Sequence, residues 1–156
     1  MLPDGAIGWP CLLPRWREQW PETALVLHQI RAPLPTIGSL TMHTDHLYQT
    51  VETVVGALPA NKVQRAAEYW VRYNRICGGL AERSYRVEDL AGDRQFLASL
   101  LHDMGRPETT EPAWWPPTDT NKRPHKTVMW QDLAPWPETA ERVRELARQY
   151  GYDDGR

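Results

Sequence analysis

ANKVQRAAEYWVRYNRICGGL, residues 60–80, is the stretch whose reading decides the fold. Its apolar residues Val63, Ala66, Tyr69, Trp70, Tyr73, Ile76, Cys77 and Leu80 recur at three- and four-residue intervals, the period of one helix face. The spacing predicts a helix from near Ala60 to at least Ile76, with Gly78-Gly79 as its end or a kink. Cys77 falls within the apolar face, which makes it a small core residue and not a nucleophile. Working outward, Leu47, Val51, Val54 and Leu58 form an apolar stripe that predicts a helix over 43–58, stopped by Pro59. Leu90, Leu97, Leu101 and Met104 predict a helix over 88–104, with Gly105 as its stop and Pro107 beyond. A last helix is predicted from Pro137, a first-turn proline, to Gly151, with Val143, Leu146 and Tyr150 on its face.

Proline and tryptophan divide the chain into parts. Of 14 prolines, six lie in residues 1–40 and seven in 107–137. Only Pro59 lies between, and Trp70 is the one tryptophan of the middle region. Proline removes a backbone donor and disfavours helix for the residue before it, so the flanks read as extended or turned chain. WPETA occurs at 20–24 and again at 136–140. Both copies read as helix starts, so a short helix is expected over 21–31, cut off by Pro33. Thr127 to Trp130 is the one candidate strand. The expectation is an all-α fold, a small helical bundle of about four main helices with extended Pro/Trp-rich N-terminal and C-terminal arms. Its parts are an arm over 1–40, a helical core over 41–106, a second arm over 107–136 and a closing helix over 137–151, all in one domain.

The arms are rich in indoles: Trp9, Trp16, Trp20, Trp114, Trp115, Trp130 and Trp136. Disordered chain is usually poor in aromatics, and each ring can bury on the order of 150–250 Å². These rings need cover, either from the chain's own helices or from a partner. Net charge is −2, so no strong field draws the chain to nucleic acid or to an anionic membrane. The basic residues are mostly arginine, a bias that suits a GC-rich genome. Two cysteines, Cys11 and Cys77, form neither a metal-type spacing nor a dense disulfide framework. The first residues lack a basic start followed by a signal-length apolar run, and no run is long enough to span a bilayer. A soluble, cytoplasmic protein is expected.

FLASLLHDMGRP, residues 96–107, resembles the metal-binding signature of the HD-type phosphohydrolases through the pair His102-Asp103 and its surroundings Leu100, Leu101, Met104 and Gly105. The resemblance covers about ten residues. It implies a divalent metal that activates water against a phosphate ester, with His43 as the upstream ligand and Asp132 as a downstream one. On a helix starting at His43, that residue lies about 40° from Leu47, on the apolar stripe. The downstream Asp departs from the family pattern. Asp119 and Asp132 sit beside prolines, not on a later helix, and Asp153 and Asp154 close the chain. His102 and Asp103 read more simply as a solvated helix end, where a partly charged His suits the dipole.

Arg65, Arg72, Arg75, Arg83 and Arg86 would share one arc if the second helix continued through its glycines. Such a face could meet phosphates, helped by Lys122, Arg123 and Lys126 in NKRPHK. Yet Glu68 and Glu82 lie in the same arc, each four residues before an arginine, the favourable order for ion pairs. A salt-bridged, solvated face is the better reading. The sequence therefore points first to a non-catalytic interaction or assembly protein that docks through its aromatic arms, with no cofactor. Its partner is another protein or a second copy, with no membrane role. A phage or mobile-element structural or accessory component, carried in a virion, would suit this style of chain. The alternative is a reduced HD-type phosphohydrolase with a divalent metal. A nucleic-acid-binding adaptor comes third.

Overall fold

The computed structural model describes residues 26–92, 94–103 and 126–153. In chain order these form β1 (Leu27–Ile30), α1 (Pro33–Leu40), α2 (Asp45–Val55), α3 (Lys62–Leu80), β2 (Arg83–Arg86), α4 (Val87–Gly92), α5 (Arg94–Asp103), a 3-10 turn (Trp130–Leu133) and α6 (Pro137–Gln149). The fold is mostly helical, as expected, but six α-helices and a two-stranded sheet replace a plain four-helix bundle among the described residues.

The 19-residue helix α3 is the axis of the molecule. Asn61 caps its start, its Oδ1 accepting from the N–H groups of Val63 and Gln64 at 3.0 and 3.3 Å, which satisfies two of the first-turn donors. Residues Ala66 to Val71 are buried without a break, so a full turn and more of α3 is covered on every side. The helix runs through Gly78 and Gly79 and ends at Leu80. Against it pack β1, α1, α2, the 3-10 turn and α6.

Residues 27–30, expected in a short helix, instead form β1, which pairs in parallel with β2, Leu27 opposite Arg83 through Ile30 opposite Arg86. Parallel strands need a long crossover, and here α1, α2 and α3 all lie within it. Pro33 does not end a helix; it begins one. Pro33 and Pro35 sit in the first turn of α1, where the missing N–H groups would have had no intrahelical partner. The expected helix over 43–58 is shorter and ends at Gly56, whose φ of 79° is left-handed. Its buried stripe is Tyr48, Val51 and Val55, while Val54 and Leu58 are half-buried at the edge. The expected helix over 88–104 is two helices, α4 and α5.

Two apolar clusters result. The larger joins β1, α1, α3, the 126–133 segment and α6, with Ile30, Ile37, Leu133 and Val143 fully enclosed. The smaller seals α2 onto α3 through Tyr48, Val51, Val55 and Tyr69. Residues 26–40 and 126–136, read as parts of the arms, thus belong to the main core. Gly38 makes this possible: a Cβ there would lie 2.0 Å from the Lys126 carbonyl oxygen, so only glycine lets the 126–128 segment cross α1.

One buried acid ties the axis to the last helix. Glu68 is 3% exposed. Its carboxylate accepts from Thr139 Oγ1 at 2.7 Å, from Arg142 of α6, and from Arg72 Nε at 3.2 Å. Burial pushes the Glu68 carboxyl up, but the Thr139 and Arg142 bonds and the charges of Arg142 and Arg72 outweigh it and hold it below the usual range. Glu68→Ala leaves the buried Thr139 hydroxyl without its acceptor and releases Arg142 to solvent, and is expected to destabilise by about 1–3 kcal/mol, measured by urea unfolding. Gly38→Ala is expected to destabilise by about 2–3 kcal/mol. Gly79→Ala, where an added methyl meets nothing within 4 Å, should instead stabilise by up to about 1 kcal/mol.

Candidate functional site

The residues of the implied metal site lie on separate elements. His43 lies in the turn before α2, not on the helix. His102 is exposed in the last turn of α5. Asp132 is exposed too, and its Oδ2 accepts from the Met129 N–H at 2.8 Å, capping the 3-10 turn. Among the described residues, no group of three or more His, Cys, Asp or Glu side chains is placed to hold a metal ion. Asp103 closes α5.

The five arginines do not form one face, because α3 ends at Leu80 and Arg83 and Arg86 lie on β2. Each of the others has an internal partner. Arg65 pairs with Asp45 at 2.6 Å and stacks over the Tyr48 ring at 4.3 Å. Arg72 pairs with Glu68, as the spacing predicts, and its Nη1 donates to the Val55 and Ala57 carbonyls at 3.4 and 2.7 Å. Arg75 meets Glu145 at 3.3 Å. Arg86 binds Asp89 and donates to the Gly151 carbonyl at 2.7 Å. Glu82, expected to pair with Arg86 along a helix, accepts from the Val26 N–H at 2.6 Å. Lys126 is exposed; Lys122 and Arg123 lie outside the described residues.

Of the arm tryptophans, Trp130 and Trp136 are described, and both are half-buried. Arg144 lies over the Trp130 ring at 4.8 Å. Trp9, Trp16, Trp20, Trp114 and Trp115 lie outside the described residues. Trp130 lines a groove of about 420 Å³ between the first turn of α1 (Pro33, Leu34, Pro35) and the 126–131 segment, with Asp153 at its margin. Met129 in that lining is 53% exposed, and Met42 is the other large exposed apolar side chain of the described residues.

A second constellation escaped the sequence reading. His28 on β1 is 4% exposed. Its Nε2 lies 2.9 Å from Asn74 Oδ1 on α3, and its Nδ1 lies 3.2 Å from Ser84 Oγ on β2. The Tyr150 ring meets His28 edge-on at 5.6 Å between centroids. The strand register sets His28 opposite Ser84; a one-residue slip would send Ser84 to the other face. Gly78 supplies the room, because a Cβ there would lie 2.2 Å from the Tyr150 hydroxyl and 3.7 Å from His28 Nδ1. The tautomer follows from the chain of bonds. Asn74 Nδ2 donates to the Trp70 carbonyl at 2.6 Å, so Oδ1 must face His28 and accept from Nε2–H. That leaves the Nδ1 lone pair for the Ser84 hydroxyl. Burial lowers the His28 pKa, with the Asn74 bond opposing it. No local motif announces these four residues, since they come from β1, α3, β2 and the end of α6. The nearby thiol of Cys77 is half-buried, and burial pushes it up, away from thiolate character.

Compared with models of known protein families, with curated proteins and with solved structures, the chain matches none. No helix of the described residues is long and apolar enough to cross a membrane.

His28 also sets a pH dependence. Its folded-state pKa is below the unfolded 6.5, so the unfolded chain takes up a proton that the folded one refuses. Stability from this group is complete above about pH 6.5 and is lost as pH falls below it, by up to about 1.4 kcal/mol per unit. Urea unfolding at pH 7.5, 6.5 and 5.5 should trace that fall, and His28→Gln, which cannot titrate, should flatten it whatever its own baseline.

Proposed function

We propose that this chain is an interaction protein whose docking face is the groove between the first turn of α1 and the 126–131 segment, occupied by a second copy of the same chain. What carries the reading is the origin of the groove wall. Apart from Asp153, it is made of residues 32–35 and 126–131, drawn from the two proline- and tryptophan-rich regions. These regions cover their own core and still leave Met129 and one side of Trp130 turned to the groove. An aromatic ring and a flexible thioether beside three apolar side chains suit an apolar insertion.

The margin favours self-pairing. Lys126 and Asp153 are both exposed at this groove, so a two-fold arrangement would bring the cation of one copy to the anion of the other. A net charge of −2 opposes association of two copies only weakly. The alternatives have less to stand on, since among the described residues no group of three His, Cys, Asp or Glu side chains could hold a metal ion and Arg65, Arg72, Arg75 and Arg86 are held by internal partners.

Light scattering should give a mass near twice 18.0 kDa. Met129→Glu should weaken association at least about tenfold, which corresponds to about 1.4 kcal/mol, while leaving the circular dichroism spectrum of the monomer unchanged, because the side chain is already exposed. A monomer at every concentration up to about 1 mM, the range of weak affinities, would overturn the reading.

A further inference from the structure

We propose that Ser84 is the nucleophile of an acyl-transfer site in which His28 is the base, Asn74 positions that base and Tyr150 sets a phenol beside the reacting oxygen, with a small carboxylic ester as substrate. This site shares no residue with the groove and does not depend on the docking reading.

The geometry meets the requirements of nucleophilic catalysis one by one. A serine hydroxyl is a weak nucleophile unless a neighbouring base takes its proton. Ser84 is an exposed residue on β2, and its Oγ lies 3.2 Å from a nitrogen of a buried imidazole in a part-buried contact. The base must present a lone pair to the hydroxyl, and the bond network fixes that tautomer: Trp70 carbonyl, Asn74 amide, His28 Nε2–H. Asn74 is itself buried, and its side-chain amide meets His28 and the Trp70 carbonyl, so it acts through His28. The same burial that lowers the pKa of His28 keeps it in the neutral, proton-accepting form near pH 7.

The developing negative charge needs a donor. The Tyr150 hydroxyl neighbours the Ser84 side chain and donates to the Asn74 backbone carbonyl at 3.5 Å, a long contact that it can exchange for a better acceptor. Gly78 is the opening that admits it.

The step balances without any further reagent. Ser84 Oγ bonds to the acyl carbon as its proton passes to His28 Nδ1. The tetrahedral adduct collapses by breaking the ester C–O bond, and the leaving alkoxide takes the proton from His28 to depart as an alcohol. Water then attacks the acyl-serine by the same route, giving a carboxylic acid and restoring Ser84.

The test uses a fluorophosphonate probe on the full-length protein, with peptide mapping by mass spectrometry. Attack by Ser84 expels fluoride and leaves a stable phosphonyl-serine. The expected result is one adduct, on Ser84, forming at a rate that falls about tenfold per pH unit once His28 is protonated. Tyr150→Phe should slow it at least tenfold. Ser84→Ala, at an exposed position, should abolish labelling while the circular dichroism spectrum is unchanged. No adduct, an adduct on another residue, or a Ser84 adduct that forms as fast in His28→Gln as in the wild-type chain would each overturn the proposal.

Discussion

The burial of α3 on all sides is the constraint on which the rest of the structure depends. A helix with one apolar stripe needs one neighbour; a helix covered from Ala66 through Val71 needs several. The chain meets that need by wrapping, with β1 and α1 arriving before the axis and the 126–133 segment and α6 after it. Covering a helix this fully also encloses polar groups, and each must find a partner or destabilise the fold. Glu68 finds Thr139 and Arg142 on α6. The Trp70 indole donates to the Arg31 carbonyl, just before α1, at 3.3 Å. Asn74 finds His28 on β1. Apolar packing alone would let these neighbours slide or rotate, and each polar pair fixes one of them to a single register.

The helical class, the central helix and the last one were legible because their signals are local. Asn61 as a cap, a long apolar period and Pro137 in a first turn all sit within a few residues of the feature they specify. Leu27 to Ile30 carries no such signal. LHQI has a polar residue at a buried position, and its partner strand RSYR lies 56 residues away, so neither segment reads as a strand until the crossover closes. The prolines near residue 33 misled for a different reason. Proline disfavours helix in the residue before it yet favours helix in the turn that it opens, and only the burial of Ile37 and Gly38 decides between these effects. The stripe of α2 was misplaced because Tyr48, polar at its tip, buries its ring, and its hydroxyl donates to the Leu40 carbonyl at 2.8 Å. Burial there pushes the phenol up to about 12, with the Arg65 charge opposing it.

Arginine usage gains a physical meaning that composition alone did not supply. Among the described residues, three guanidinium groups lie over aromatic rings, Arg65 on Tyr48, Arg86 on Tyr152 and Arg144 on Trp130. Arg72, which does not stack, and Arg86, which does, donate to carbonyls that helix or turn geometry leaves open: Arg72 to Val55 and Ala57 at the end of α2, and Arg86 to Gly151 beyond α6. A planar fork can stack and donate at once, which an ammonium cannot do. Lysine at Arg72 or Arg86 would keep the charge and lose the second carbonyl or the stacked face. Of the arginines that the sequence pattern grouped as a basic face, Arg72 and Arg86 thus close helix ends, while Arg65 and Arg75 pair with Asp45 and Glu145.

The His28 site shows how one set of bonds can serve both stability and reactivity. A buried imidazole exposes two nitrogens to the accounting of buried polar groups, and Asn74 satisfies only one. A fold concerned with stability alone could satisfy the other with an enclosed partner, or replace the histidine with an apolar side chain at little loss. Here the second partner is the hydroxyl of an exposed residue, which joins a proton acceptor of fixed tautomer to a nucleophile within reach of solvent. The acidic sensitivity that follows is the cost of holding that acceptor neutral. Strand register, the Asn74 amide and the gap at Gly78 must all agree before Ser84 meets His28 beside Tyr150.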